Sequence, residues 1–181
     1  MTKHYLEKFE NVSTFMFDVD GVLTDGSVLL VPGGDQVRKM YVRDGYALQF
    51  AVKRGYRIVI ITGGSSEETK LRLEKLGVKD IFLGVQNKLE VYTNYMKEND
   101  LSPEETLYMG DDIPDYQVMK VAGVACCPSD ADHEIKAITD YISDKIGGHG
   151  CVRDVIEKTM RVQGTWFDAN EEDEKFKQFF W

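Results

Sequence analysis

Thr14-Phe15-Met16-Phe17-Asp18-Val19-Asp20-Gly21-Val22-Leu23-Thr24 is the stretch that decides the fold of this chain. Its apolar run, Thr14 to Phe17, predicts a buried strand, and Asp18 and Asp20, one residue apart, project to the same side of the extended backbone just beyond it. The pattern recurs twice. The run Tyr56 to Ile61 ends in Thr62-Gly63, and Thr106 to Met109 ends in Gly110-Asp111-Asp112, with Asp115 following. In a parallel sheet such strand-end residues gather at one edge, where open α/β folds bind ligands. Carboxylates gathered there without counter-charge would repel one another, so the pattern calls for a divalent cation, with Lys88 as a further positive charge.

Between and beyond these strands the chain alternates. Ser27 to Val31 and Gln36 to Val42 flank the turn-forming Pro32-Gly33-Gly34-Asp35, which predicts a β-hairpin inserted after the first strand, too small to be a domain. From Asp44 the pattern is helical, with Ala47, Leu48, Phe50 and Ala51 on or near one face, until Gly55. Ser65 or Ser66 caps a helix that ends at Gly77, and Ile81 to Leu83 reads as a short strand. Lys88 to Asn99 has Leu89, Tyr92 and Met96 at helical spacing. Further on come a helix from Asp115 to Val121, a strand at Val124 to Cys127, a helix around Asp132 to Ile138 and a strand at Tyr141 to Ile142. The loop Gly147-Gly148-His149-Gly150 precedes a last helix from Val152 to about Val162. This alternation predicts an α/β fold: a Rossmann-like parallel sheet with crossover helices, in one domain spanning 1–163. Residues 164–181, aromatic and acidic, read as a C-terminal tail, either docking at or near a neighbouring active site or forming a disordered acidic extension.

Composition bounds the function. A chain of 181 residues with 43% hydrophobic content can bury one substantial core. Its net charge of -9 argues against a nucleic-acid binder and against an anionic membrane surface. Cys126, Cys127 and Cys151 are odd in number and two are adjacent, which suits buried apolar roles rather than a disulfide framework or a zinc site. Met1 to Val12 is polar, without the apolar core of a signal peptide, so a cytoplasmic location is expected.

The chemistry follows from the residue types. Asp18 can attack phosphorus and form an aspartyl-phosphate, while Asp20 protonates the departing alkoxide and then takes a proton from water. Thr62 and Gly63 offer a hydroxyl and exposed amides to phosphate oxygens beside a helix start. Lys88 opens a helix, where its charge opposes the helix dipole and so asks for an anionic partner. Asp111 can share a metal with Asp18 and the main-chain carbonyl of Asp20, in the oxygen-rich octahedral setting that Mg²⁺ prefers. Asp112 and Asp115 would orient these ligands, and Asp112 also suits a helix cap.

With these residues on the page, the run Asp18 to Gly26, Thr62, Lys88 and Gly110-Asp111-Asp112 resemble the four motifs of the haloacid dehalogenase superfamily of phosphatases. The hairpin, Val42-Arg43-Asp44-Gly45, Gln86-Asn87-Lys88 and the Gly147 to Arg153 loop resemble, more narrowly, the 3-deoxy-D-manno-octulosonate 8-phosphate phosphatases. That resemblance implies a capless, Mg²⁺-dependent homotetramer acting in lipopolysaccharide sugar synthesis, with hairpins of four subunits packed at its centre and neighbours covering each active site. It implies Asp18 as nucleophile, Asp20 as acid/base, Thr62, Gly63 and Lys88 around the phosphate, and Asp18, Asp20 and Asp111 as magnesium ligands. Two departures bear on the sugar: Gly64 and His149 stand where many members carry arginine. Arg43 and Arg153, with His149, are then the expected readers of a substrate carboxylate.

Two other readings use the same groups. A nine-carbon 2-keto-3-deoxy sugar acid 9-phosphate would suit the same architecture. A receiver-like phosphoacceptor domain also combines acids, a hydroxyl, a lysine and Mg²⁺, but there the acidic pair precedes a separate phosphoacceptor, whereas Asp18 and Asp20 come first and further acids follow Lys88.

Overall fold

The computed structural model describes residues 5–34 and 36–167. Six parallel strands form the central sheet: β1 (Thr14–Phe17), β4 (Arg57–Ile61), β5 (Asp80–Phe82), β6 (Thr106–Met109), β7 (Val124–Cys127) and β8 (Tyr141–Ile142). Their spatial order is β5-β4-β1-β6-β7-β8, so β1 lies in the interior with β4 and β6 as parallel neighbours. The order reverses direction at β1, and its carboxyl end is therefore the topological switch point of the sheet.

The strand sequences explain the layers. Phe15, Phe17, Ile58, Ile60, Leu107, Met109, Val124 and Cys126 belong to one core, while Met16, Val59, Ile61, Tyr108, Ala125 and Cys127 belong to the other. β1, β4, β6 and β7 are mostly apolar and buried because their alternating side chains are covered on both faces. The first core is completed by α1 (Tyr5–Phe9), α2 (Val42–Lys53), α3 (Glu67–Glu74) and α7 (Cys151–Val162). The second is completed by α4 (Lys88–Glu98), α5 (Tyr116–Met119) and α6 (His133–Ile138). All three cysteines are free and buried, in keeping with their expected apolar role. Among the described residues, no helix is long and apolar enough to cross a membrane.

Between β1 and α2, β2 (Leu29–Leu30) pairs antiparallel with β3 (Gln36–Val37), and a bridge from Thr24 to Met40 closes the base. The paired part is only two residues long on each side, shorter than the β-rich sequence runs. Leu29 and Leu30 are 65% and 71% exposed. At the other end of the chain, Trp166 is buried and its ring lies 4.7 Å from that of Phe50. The Tyr56 hydroxyl hydrogen-bonds Gln163 and Thr165. The packed domain thus runs past 163 into the segment read from sequence as tail, because Trp166 fills core space beside α2 and α7. The expected docking of residues 168–181 lies outside the described residues.

Helix α2 begins at Val42 rather than Asp44, and its first residue follows Tyr41, which makes no side-chain cap. Asp44 is turned instead toward α7, where its carboxylate accepts the backbone N–H groups of Gly150 (3.1 Å) and Arg153 (2.7 Å). It thereby satisfies two orphan donors at the start of another helix. Burial pushes the Asp44 carboxyl up to about 6, against those hydrogen bonds. Since burial favours the neutral form, ionising Asp44 weakens the native state: its contribution is complete below about pH 4 and is lost as pH rises through about 6. The metal-free protein should therefore lose roughly 3 kcal/mol or less from this group across that window. Thermal melts from pH 4 to 7 should give a steeper decline for wild type than for Asp44→Asn.

Candidate active site

The sheet edge receives its chemistry from the ends of β1, β4 and β6. Asp18 follows β1 directly and is held in line by its N–H, which donates to the Met109 carbonyl at 3.1 Å. The backbone then turns at Gly21, whose φ of +83° is in the left-handed region, and a Cβ there would lie 2.0 Å from Asp111 Oδ2. Glycine is therefore required for both the turn and the close approach of Asp111. Asp18, Asp111 and Asp115 bring carboxylate oxygens within 4.8 Å of one another.

Lys88, at the start of α4, enters this cluster and is 6% exposed. Its Nζ lies 3.0 Å from Asp18 Oδ2 and 2.8 Å from Asp115 Oδ1. Burial disfavours its charge, but Asp18 and Asp115 together hold the ammonium above its ordinary value. The Tyr108 hydroxyl also donates to Asp115 Oδ1, at 2.6 Å, and the Asp111 N–H to Asp115 Oδ2 at 3.3 Å. With both oxygens so engaged, Asp115 orients Lys88 and the Asp111 backbone. Asp112 lies outside the cluster and accepts the N–H of Ile113 at 2.7 Å, the capping role open to it in the sequence.

The donor set suits a hard divalent cation. Burial first, then repulsion from Asp115, raises Asp18 to about 7 despite Lys88. Burial, with repulsion from Asp18 and Asp115, raises Asp111 to about 8. One lysine leaves this acidic cluster under-compensated, and every side-chain donor is a carboxylate oxygen, the ligand type of Mg²⁺ rather than of a thiophilic or imidazole-seeking metal.

Asp20 does not join that cluster. Its carboxylate faces Arg38, which donates Nε to Oδ1 at 2.7 Å and Nη2 to Oδ2 at 3.0 Å, while the Thr24 hydroxyl donates to Oδ1 at 3.4 Å. Thr62 is buried at the end of β4, and its hydroxyl accepts the Gly64 N–H at 3.1 Å. A Cβ added at Gly64 would meet Arg38 Nη2 at 3.4 Å and both Asp20 Oδ2 and Thr62 Oγ1 at 3.5 Å, so these four residues meet at one point. From there a cleft of about 1040 Å³ opens between the hairpin and the Gly63 to Thr69 segment, with Arg38 and Arg72 as its cations. Arg72 makes no side-chain hydrogen bond or ion pair among the described residues.

The three residues expected to read a carboxylate do not line this cleft. Arg43 is exposed on the first turn of α2. Arg153 is engaged by Glu157 at 3.2 Å and lies over the rings of Tyr46 and Trp166. His149 Nδ1 is 2.9 Å from the Gly147 carbonyl oxygen, and its ring neighbours Tyr41. The glycine loop serves the site from behind: a Cβ at Gly147 would lie 2.0 Å from the Gly21 carbonyl oxygen, and the Gly148 N–H donates to the Val22 carbonyl at 2.9 Å. Arg38 and Arg72 were missed because an arginine in a hairpin or on a helix reads as solvated. Only Gly64, which leaves room for a side chain arriving from elsewhere, hinted at them.

Comparison with known proteins gives one consistent neighbourhood. Residues 39–128 match the model of the haloacid dehalogenase-like hydrolases. The 3-deoxy-D-manno-octulosonate 8-phosphate phosphatase of Salmonella typhi is 32% identical over 169 residues, covering 93% of this chain and 90% of that one. Its counterpart from Haemophilus influenzae is 30% identical, covering 87% and 88%. The crystal structure of the Moraxella catarrhalis enzyme of that name, in complex with magnesium ion, phosphate ion and a KDO molecule, superposes with a TM-score of 0.87 at 30% identity, over 99% of this chain and 100% of that one.

The ion pairing at Lys88 has a direct consequence. Lys88→Met leaves Asp18 and Asp115 buried without their cation, which should cost on the order of 3 to 5 kcal/mol at pH 7.5 in the metal-free protein. The loss, read from denaturant unfolding, should shrink at pH 5, where Asp18 takes up a proton.

Proposed function

The chain belongs to the haloacid dehalogenase-like hydrolases and, within them, to the 3-deoxy-D-manno-octulosonate 8-phosphate phosphatases, a family of phosphoric monoester hydrolases, and on that premise we propose that it cleaves this sugar-acid phosphate to the free acid and phosphate. The observation that carries the proposal is the Asp18–Lys88–Asp115 chain beside Asp111 and Thr62 at the carboxyl edge of the sheet.

Asp18 is the nucleophile. Lys88 and the Thr62-Gly63 segment hold the phosphoryl oxygens, bringing phosphorus to the carboxylate and offsetting the charge that grows on those oxygens. Attack breaks the phosphorus–oxygen bond to the sugar and gives an aspartyl-phosphate on Asp18. Asp20 gives its proton to the departing alkoxide and then takes one from the water that hydrolyses the acyl phosphate, regenerating Asp18. Mg²⁺, which Asp18, Asp111 and the main-chain carbonyl of Asp20 would hold, supplies charge compensation for the phosphate and the carboxylates. The free sugar acid would then enter lipopolysaccharide precursor synthesis.

The cleft supports an acidic substrate. Phosphate held at Thr62 directs the rest of the molecule past Gly64 toward Arg38 and Arg72. A guanidinium with no side-chain partner among the described residues, such as that of Arg72, suits a carboxylate through charge-assisted hydrogen bonds. The exposed Leu29, Leu30 and Val37 of the hairpin likewise support assembly into a homotetramer through pairing of this apolar surface.

With Mg²⁺ present, Asp18→Asn should lower kcat by about 10³-fold or more, measured as phosphate release from 3-deoxy-D-manno-octulosonate 8-phosphate. Retained activity in that variant would refute the nucleophile. A panel that includes the nine-carbon analogue and hexose phosphates should rank the eight-carbon acid first by kcat/KM. In light scattering at micromolar concentration, wild type should run as a tetramer and Leu30→Glu as a smaller species.

A further inference from the structure

Among the described residues, Arg38 is the cation that joins the hairpin to Asp20. It follows β3 directly, its side chain is 10% exposed, and its two hydrogen bonds to Asp20 form the bidentate fork that fixes a carboxylate in plane and direction. The same guanidinium reaches back to the Gln36 carbonyl and side-chain oxygens at 3.4 and 3.5 Å, so its own position is set by the hairpin strand. Asp20 itself lies in the turn after β1, with the Thr24 hydroxyl at 3.4 Å as its other side-chain partner. A carboxylate on a turn has free χ rotation unless something restrains it. Here the restraint comes from 18 residues away, through a hairpin that is also tied down by the Thr24–Met40 bridge and the Lys39–Asp25 ion pair at its base.

The restraint also has the direction that leaving-group protonation needs. Asp20 Oδ2, Arg38 Nη2 and Thr62 Oγ1 surround the same point over Gly64. The alkoxide of a phosphoester bound at Thr62 departs past this point into the cleft. We propose that Arg38 is a positioning residue for the acid/base step: the hairpin guanidinium aims the Asp20 carboxyl at the leaving-group oxygen. This rests on the phosphatase reading above and adds to it a residue that neither touches phosphorus nor holds the metal. The reaction is unchanged in its balance, since the proton still passes between Asp20 and the leaving oxygen.

The role predicts dependence on the leaving group. An alkoxide must be protonated as it leaves, whereas p-nitrophenolate departs without a proton. With full-length protein and saturating Mg²⁺, Arg38→Met should lower kcat on the sugar-acid phosphate by about 10- to 100-fold, within the range that a general acid supplies. On p-nitrophenyl phosphate the loss should be at least about ten-fold smaller. Arg38→Lys, which keeps the charge but not the fork, should fall between wild type and Arg38→Met on the sugar substrate. Equal losses on both substrates in both variants would overturn the proposal, as would a loss confined to KM, which would make Arg38 a binding residue alone. The parent reading is judged separately on wild type: absence of Mg²⁺-dependent phosphate release from either substrate would overturn both.

Discussion

The ammonium of Lys88, set between Asp18 and Asp115, is the interaction on which the site depends. Asp18, Asp111 and Asp115 converge at the carboxyl edge of the sheet with Asp18 and Asp115 buried, an arrangement that self-repulsion would open were no cation built in. The lysine comes from the start of α4, where the exposed amides of the first turn oppose its charge. Two carboxylates and the Tyr108 hydroxyl around Asp115 outweigh that cost and fix the ammonium in place. Compensation is incomplete: burial and repulsion among the carboxylates push Asp18 up to about 7 and Asp111 up to about 8, so a divalent cation is the group that would complete the charge balance.

Much of this was legible in the sequence because it depends on where strands end. Phe17, Ile61 and Met109 close apolar runs, and the parallel order puts the next residues, Asp18, Thr62 and Gly110, on one edge whatever the details between. The helix cap at Ser66 was equally local, accepting the Thr69 N–H three residues on. The unread part consists of long-range pairings between residues of ordinary local character. Arg38 finds Asp20 across the hairpin, Asp44 leaves its own helix to cap α7, and Trp166 turns back onto Phe50. Periodicity and turn chemistry carry no information on such partners, and an arginine such as Arg153 looks the same in sequence whether it meets a ligand or lies over Tyr46 and Trp166.

The hairpin combines exposed apolar side chains with a cation directed at the site. Leu29, Leu30 and Val37 leave apolar area exposed, while Arg38, the next residue, directs its guanidinium to the Asp20 carboxylate. A short insertion thus supplies one wall of the cleft beside Gly64 without a domain of its own.

The glycine loop behind the site bears on how such a sequence can diverge. Gly147 lies so near the Gly21 carbonyl that even a methyl group would have to displace the turn carrying Asp20. No such close backbone approach confines the side chain of His149, which is exposed, with Nδ1 at the Gly147 carbonyl and its ring beside Tyr41. Random mutagenesis should thus meet a wall at one position and open ground two residues later. A laboratory lineage selected for new sugar phosphates has room to explore at His149, while Gly147 should remain fixed for as long as the Asp18 turn is in use.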